Sequence, residues 1–174
     1  MIFLTVGSAL PFDRLVRMVD EAVSEGLISE EVFAQIGNGK YVPSSFAHTR
    51  FLAKSEFQEK MSQASAVISH AGIGTITNAL KQSLPLLVLP RLPQYGELVD
   101  DHQQKTAQAY AELGHLLVFN SPGELQKAVA RLPDFNPAPR NPNTQGIAAA
   151  IGRWLSHEPA AFTDNTAKQC GPLK

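Results

Sequence analysis

The stretch Ile68-Ser69-His70-Ala71-Gly72-Ile73-Gly74-Thr75 decides how the chain is read. It closes a short apolar run, Ala66–Ser69, and opens a segment of helical spacing that continues to about Gln82. A buried strand that ends in a glycine-bearing turn and passes directly into a helix is a unit of parallel sheets. Glycine at 72 and 74 removes the Cβ and admits dihedrals that other residues avoid. The helix that follows presents unpaired N–H groups and the positive end of its dipole, which suits an anion. Thr75 adds a hydroxyl, and His70 an imidazole N–H that could donate to a phosphate oxygen. By spacing alone the turn is not a Walker loop, because no Gly-Lys-Ser/Thr follows, and it is not the Gly-x-Gly-x-x-Gly fingerprint. Bare glycine spacing is equally compatible with a purely structural turn.

Working outward, apolar runs and helical patterns alternate. Toward the N-terminus lie strands over Ile2–Val6, Val32–Ile36 and His48–Leu52. Between the first two, Pro11 opens a helix pattern carried by Phe12, Leu15, Val16, Val19, Ala22 and Val23, which Gly26 ends. Ser55 with Gln58 reads as a capping box, and Phe57, Met61 and Ala64 form the apolar face of that helix. Toward the C-terminus come a strand over Leu84–Leu89, a loop Pro90–Val99, a helix Asp100–Leu113 and a strand His115–Phe119. Ser121-Pro122-Gly123-Glu124 then starts a helix with a cap, a proline at the first position and a glutamate at the third.

This alternation predicts an α/β fold, a Rossmann-like parallel six-stranded sheet ordered 3-2-1-4-5-6. Ligands of such sheets bind outside the carboxyl ends of the strands, here after strands one, four and five. The domain is expected over residues 1–132. Residues 133–174 form a proline-containing segment, with six of the twelve prolines, a helix expected over Ile147–Leu155 anchored by Trp154, and a flexible end.

Composition narrows the function. Lysine and arginine total 15 and aspartate and glutamate 16 in 174 residues, a net charge of −1, so nothing draws nucleic acid in general and an anionic ligand needs a local site. The single cysteine, Cys170, allows neither an internal disulfide nor a cysteine-based zinc site and fits a reducing compartment. The apolar start, Met1–Val6, is too short for a signal segment, and no window approaches a membrane span. The chain is therefore expected in the cytoplasm, reaching a membrane only through a partner. No Asp-x-Asp cluster offers a metal site.

Two further loops carry chemistry. Thr5-Val6-Gly7-Ser8 ends the first strand beside the fourth and could bond the same anion from the other side. Gln94-Tyr95-Gly96-Glu97-Leu98-Val99-Asp100-Asp101-His102-Gln103 follows the fifth. Asp100 reads as an ordinary helix-start acid, whereas His102 and Gln103 are neither caps nor dipole partners and are candidates for ligand hydroxyls.

Taken together, Ser-His-Ala-Gly-x-Gly-Thr, Pro-Leu-Leu-Val-Leu-Pro and Asp-Asp-His-Gln in this order resemble the C-terminal, donor-binding domain of family 28 glycosyltransferases, from Met1 to about Leu132. The closer similarity is to its small single-domain members, the bacterial exopolysaccharide transferases of the PssE type. Their eukaryotic counterpart is the catalytic subunit of the dolichol-linked N-acetylglucosaminyltransferase. The resemblance implies the C-terminal half of a GT-B enzyme that binds a UDP-sugar as donor substrate and uses no cofactor. It implies a membrane-anchored partner subunit that brings a lipid-linked saccharide acceptor to the inner face of the membrane. It puts the diphosphate in the loop Ser69–Thr75, on His70, Gly72, Gly74 and Thr75, with Gly7 and Ser8 opposite. Gln103 and His102 fall at the donor sugar, and Phe51–Lys54 near the uracil. Where the family carries a ribose-binding glutamate this chain has Asn78, shorter and with one acceptor in place of two. That departure keeps open an alternative, a non-catalytic nucleotide-sugar-binding subunit or degenerate transferase. No residue here is assigned as the general base.

Overall fold

The computed structural model describes residues 1–140. The helix expected over Ile147–Leu155, Trp154 and Cys170 lie outside the described residues. The strands are β1 (Ile2–Thr5), β2 (Val32–Gln35), β3 (Ala47–Thr49), β4 (Ala66–Ser69), β5 (Leu86–Val88) and β6 (Leu117–Val118). The helices are α1 (Asp13–Ser24), α2 (Lys54–Gln63), α3 (Ile73–Lys81), α4 (His102–Glu112) and α5 (Pro122–Arg131). The strands pair in parallel throughout, in the order β3-β2-β1-β4-β5-β6 expected of a Rossmann-like sheet.

Parallel strands covered on both faces read as unbroken apolar runs, and the side-chain period of two sends alternate residues to opposite faces. Leu4, Ile68, Leu87 and Leu117 pack with α1 and α5 through Leu15, Val16, Val19, Leu125 and Ala128. Phe3, Val67, Leu86 and Val88 pack on the other face with Met61 of α2, Ile76 and Ala79 of α3 and Ala107 of α4. Phe3 is fully buried, and its ring meets Phe57 edge-on at 5.3 Å between centroids. A phenylalanine removed from water in this way contributes about 1.5–3 kcal/mol.

Element ends differ from the sequence reading in informative places. The helix expected from Pro11 begins at Asp13, and Phe12 is buried as its N-cap. Ser55 does not cap α2. The N-cap is Ala53, whose N–H donates to the Glu56 carboxylate at 2.7 Å, so the glutamate supplies the backward half of a capping box that has no hydroxyl half. The helix expected from Asp100 starts at His102, after a 3₁₀ turn over Pro93–Tyr95. At α5 the expected cap is present, with the Glu124 N–H donating to Ser121 Oγ at 3.3 Å.

One buried charge anchors the long β2–β3 connection. Asp20, on the inner face of α1, is 4% exposed. Its carboxylate accepts from Tyr41 Oη at 2.6 Å, the Ser45 N–H at 2.8 Å and the Ser44 N–H at 3.1 Å. Burial disfavours the charged form, but these bonds outweigh it and hold the carboxyl below its usual range. A carboxyl lowered in the fold stabilises it above the unfolded pKa, and that contribution is lost as the pH falls through the folded pKa. Asp20→Asn is therefore expected to lower unfolding stability by about 1–3 kcal/mol at pH 7, from lost charge-assisted bonds. In urea melts the deficit should shrink below pH 4.

Candidate functional site

The carboxyl ends of β1, β4 and β5 open on a cleft of about 600 Å³. One wall is the β1–α1 loop, Val6–Leu10, and the other is the β4–α3 turn with the first turns of α3. Lys54, Phe57 and Gln58 of α2 and its lead-in border one end, and Arg91 and Gln103 the other.

Parallel pairing sets Thr5 directly opposite Ser69, so the two loops leave the sheet side by side. Ser69 is fully buried, and its Oγ donates to the Thr5 carbonyl at 2.6 Å. With its single proton used there, Ser69 Oγ can only accept from His70 Nδ1, 3.2 Å away, which assigns the ring proton to Nδ1. Burial, followed by the nearby charge of Arg91, pushes the His70 pKa down to about 4, so the ring is neutral at pH 7. The imidazole N–H is thus turned toward Ser69 in this state.

The glycines divide into two kinds. A Cβ on Gly72 would stand 2.2 Å from His70 Nε2, and one on Gly7 2.8 Å from His70 Cε1. Gly7 also has a φ of +77°, the left-handed region. These two glycines therefore make room for the His70 ring, not directly for a ligand. A Cβ on Gly74, by contrast, would have no heavy atom within 4 Å, although Gly74 borders the cleft. Gly72 is the N-cap of α3 and has no side chain to cap it, and the first helical bond runs from the Ile76 N–H to the Gly72 carbonyl at 3.0 Å. The amides of residues 73–75 precede that ladder. Thr75 and Asn78, three apart on one helix face, both line the cleft.

The opposite wall is held from below. Arg91 is 3% exposed, and its Nη2 donates to the Val6 carbonyl at 2.9 Å and the Leu10 carbonyl at 2.8 Å, clasping both ends of the loop that carries Gly7 and Ser8. The guanidinium lies 4.7 Å from the centroid of the Phe12 ring. Burial lowers the Arg91 pKa to about 10, which leaves it charged at pH 7. Gln103 Oε1 accepts the Arg91 N–H at 3.2 Å, so the amide nitrogen is the end of Gln103 left to a ligand. Arg14 pairs in a fork with Glu97, Nε to Oε1 at 2.8 Å and Nη2 to Oε2 at 2.7 Å, and ties α1 to the loop after β5. Gln35 spans β2 and the site, accepting the Leu52 N–H at 3.1 Å and donating to the Gly7 carbonyl at 3.3 Å.

The structure thus gathers Gly7, Ser8, His70, Gly72, Gly74, Thr75, Asn78 and Gln103 around one cleft. Ser69 sits beneath it as a brace. His102 is exposed, does not line the cleft, and its imidazole pairs with the Asp100 carboxylate. Of the stretch Phe51–Lys54, Leu52 and Lys54 border the cleft and Phe51 is exposed. Sequence reasoning passed over Gln35, Phe57, Gln58 and, above all, Arg91. The signal for Arg91 was its place one residue after the Pro90 that ends the fifth strand run. Among the described residues no aspartate or glutamate lines the cleft, while Lys54 and Arg91 do. The arrangement offers donors and positive charge to an anion.

Residues 1–152 match the glycosyltransferase family 28 C-terminal domain. Among curated proteins, the human UDP-N-acetylglucosamine transferase subunit ALG13 is 32% identical over 146 residues, 76% of this chain but only 12% of that protein. Among solved structures, a solution structure of ALG13 superposes with a TM-score of 0.56 at 21% identity, over 88% of this chain and 94% of that one. A glycotransferase of kitacinnamycin superposes with a TM-score of 0.57 at 20% identity, over 89% of this chain and 39% of that one. These two likenesses are of fold, that of one half of a GT-B glycosyltransferase. On the match of residues 1–152, the chain belongs to the glycosyltransferase family 28 C-terminal domain family.

Proposed function

We propose that the chain is the donor-binding subunit of an inverting glycosyltransferase that moves a sugar from a UDP-sugar to a lipid-linked acceptor. The observation that carries this reading is a cleft that opens on the uncapped N-terminus of α3 and has, among the described residues, no carboxylate in its lining. A diphosphate is the ligand such a site suits, and amides aimed at a leaving diphosphate stabilise the charge it develops. The donor is then held by Ser8 on one wall and by Gly74, Thr75 and the first amides of α3 on the other, while Gly7 and Gly72 make room for the His70 ring between them. The Gln103 amide nitrogen reaches the sugar and Asn78 the ribose. The reading needs no cofactor and no metal.

The acceptor and the general base belong, in this reading, to a membrane-associated partner subunit. Among the described residues no helix is long and apolar enough to cross a membrane, so recruitment to the cytoplasmic face falls to that partner. The human relative's name makes UDP-N-acetylglucosamine the first donor to test. The resemblance to single-domain PssE-type enzymes noted in the sequence supports a place in exopolysaccharide or capsule assembly. A second reading, a non-catalytic binder of nucleotide sugars, is favoured by Asn78, which lines the cleft where the family has a carboxylate.

Calorimetry with the purified chain is expected to give saturable binding of UDP and of the UDP-sugar, unchanged by EDTA, with little turnover until partner and acceptor are added. Absence of UDP binding would end the proposal. Efficient transfer by the isolated chain would remove the partner from it, and binding without transfer in the reconstituted mixture would favour the second reading. The glycines give a sharper check. Gly74→Ala should keep or raise stability, since alanine is better than glycine in a helix by about 1 kcal/mol. It should nevertheless weaken UDP by about tenfold or more, because its Cβ enters the space assigned to phosphate. Gly72→Ala should lower stability by about 1–3 kcal/mol through overpacking against His70, and weaken UDP as well. A Gly74→Ala protein that binds UDP like the wild type would show that the turn does not hold phosphate.

A further inference from the structure

We propose that Arg91 is the resident cation of the diphosphate site, meeting the donor's phosphates from beneath the β1–α1 loop while it holds that loop in place. The inference rests on the donor-binding reading above. Arg91 is buried to 3% exposure and borders the cleft. Two carbonyls, those of Val6 and Leu10, share its Nη2, and both are neutral. Its Nε–H is buried and has no acceptor among the described residues. Among the described residues the carboxylate close enough to favour its charge is Glu97, and both oxygens of Glu97 are engaged by Arg14 in the fork described above.

A charge so placed is costly in a protein interior unless an opposite charge meets it, and neutral carbonyls leave it uncompensated. A lining without carboxylates among the described residues raises the positive potential there and leaves a small anion as the natural counter-charge. Arginine suits the task because its planar fork bonds phosphate oxygens without losing its proton. The position is independent of the α3 N-terminus, which approaches from the opposite wall, so a diphosphate would be held between a helix end and a guanidinium. This assigns electrostatic work to a residue that the loop geometry alone would call a strap.

Comparing ligands with and without phosphate locates the effect of Arg91 at the diphosphate, and a crystal structure of the wild type with UDP separates a cation that meets a phosphate oxygen from a strap that only holds the Gly7-Ser8 loop. UDP and uridine would be titrated into the wild type, Arg91→Lys and Arg91→Met, with thermal melts to confirm folding. Met fills much of the volume without charge, and Lys restores charge without the fork. The expected result is a loss of UDP affinity in Arg91→Met of roughly tenfold or more, as for a charge-assisted bond. Uridine affinity should change little, and Arg91→Lys should fall between. Equal UDP affinity in wild type and a folded Arg91→Met would overturn the inference, as would equal losses for UDP and uridine. If neither variant folds, a crystal structure of the wild type with UDP decides. A phosphate oxygen within hydrogen-bond distance of the guanidinium supports the role, and none overturns it. Wild-type protein that binds no UDP at all would instead defeat the donor-binding reading.

Discussion

The parallel pairing of β1 with β4 at the centre of the sheet is the constraint on which the site depends. It brings Thr5 opposite Ser69, residues 64 positions apart, and the Ser69 hydroxyl then bonds the Thr5 carbonyl at 2.6 Å. Both strands emit their loops from the same end, as parallel strands must. A cleft forms between those loops because the chain order reverses there, with β2 and β3 on one side of β1 and β5 and β6 on the other side of β4. A one-residue slip of register would turn Leu4 and Ile68 to the opposite face and break both layers of core at once.

Much of this arrangement was legible in the sequence because periodicity and turn chemistry are local. Ile2–Val6, Ala66–Ser69 and Leu84–Leu89 are apolar runs that can only be buried strands at this length, and their alternation with helical patterns carries the topology. The Ser121 cap was legible for the same reason. What was not legible depends on partners distant in sequence. Arg91 looks like the solvated start of a loop until the β1–α1 loop is folded over it. Asp20 looks like one more charge on α1 until Tyr41, Ser44 and Ser45 close around it. His102, polar and one residue from Gln103, looked equivalent to it, but one helix position turns a side chain by about 100°, which carries His102 out to solvent. At α2 two capping patterns overlapped, Ser55 with Gln58 and Glu56 reaching back to Ala53. The helix took the earlier start.

The electrostatics of the domain are local in the same sense. A net charge near zero conceals a cleft that, among the described residues, is lined by two cations and no carboxylate. Glu97, the acid that acts on Arg91, is itself engaged by Arg14. Composition sums such as isoelectric point average over this separation and cannot detect it. Positive potential is concentrated where the backbone also supplies donors, which is how a domain with little overall charge can hold an anion selectively.

The pinch of Gly7 and Gly72 on the His70 ring makes three positions into a single inherited character. A larger residue at 72 is costly while the imidazole is present, and so is one at 7, since a Cβ there strikes the same ring. A lineage that exchanged the histidine for a smaller side chain would release position 72 to vary. Position 7 would stay under constraint from its left-handed backbone. Two of the three lie in one turn and the third in a loop on another strand, so the dependence joins segments that no local sequence pattern connects. Their effects on stability should be strongly non-additive, since the first substitution relieves the clash that makes the second expensive.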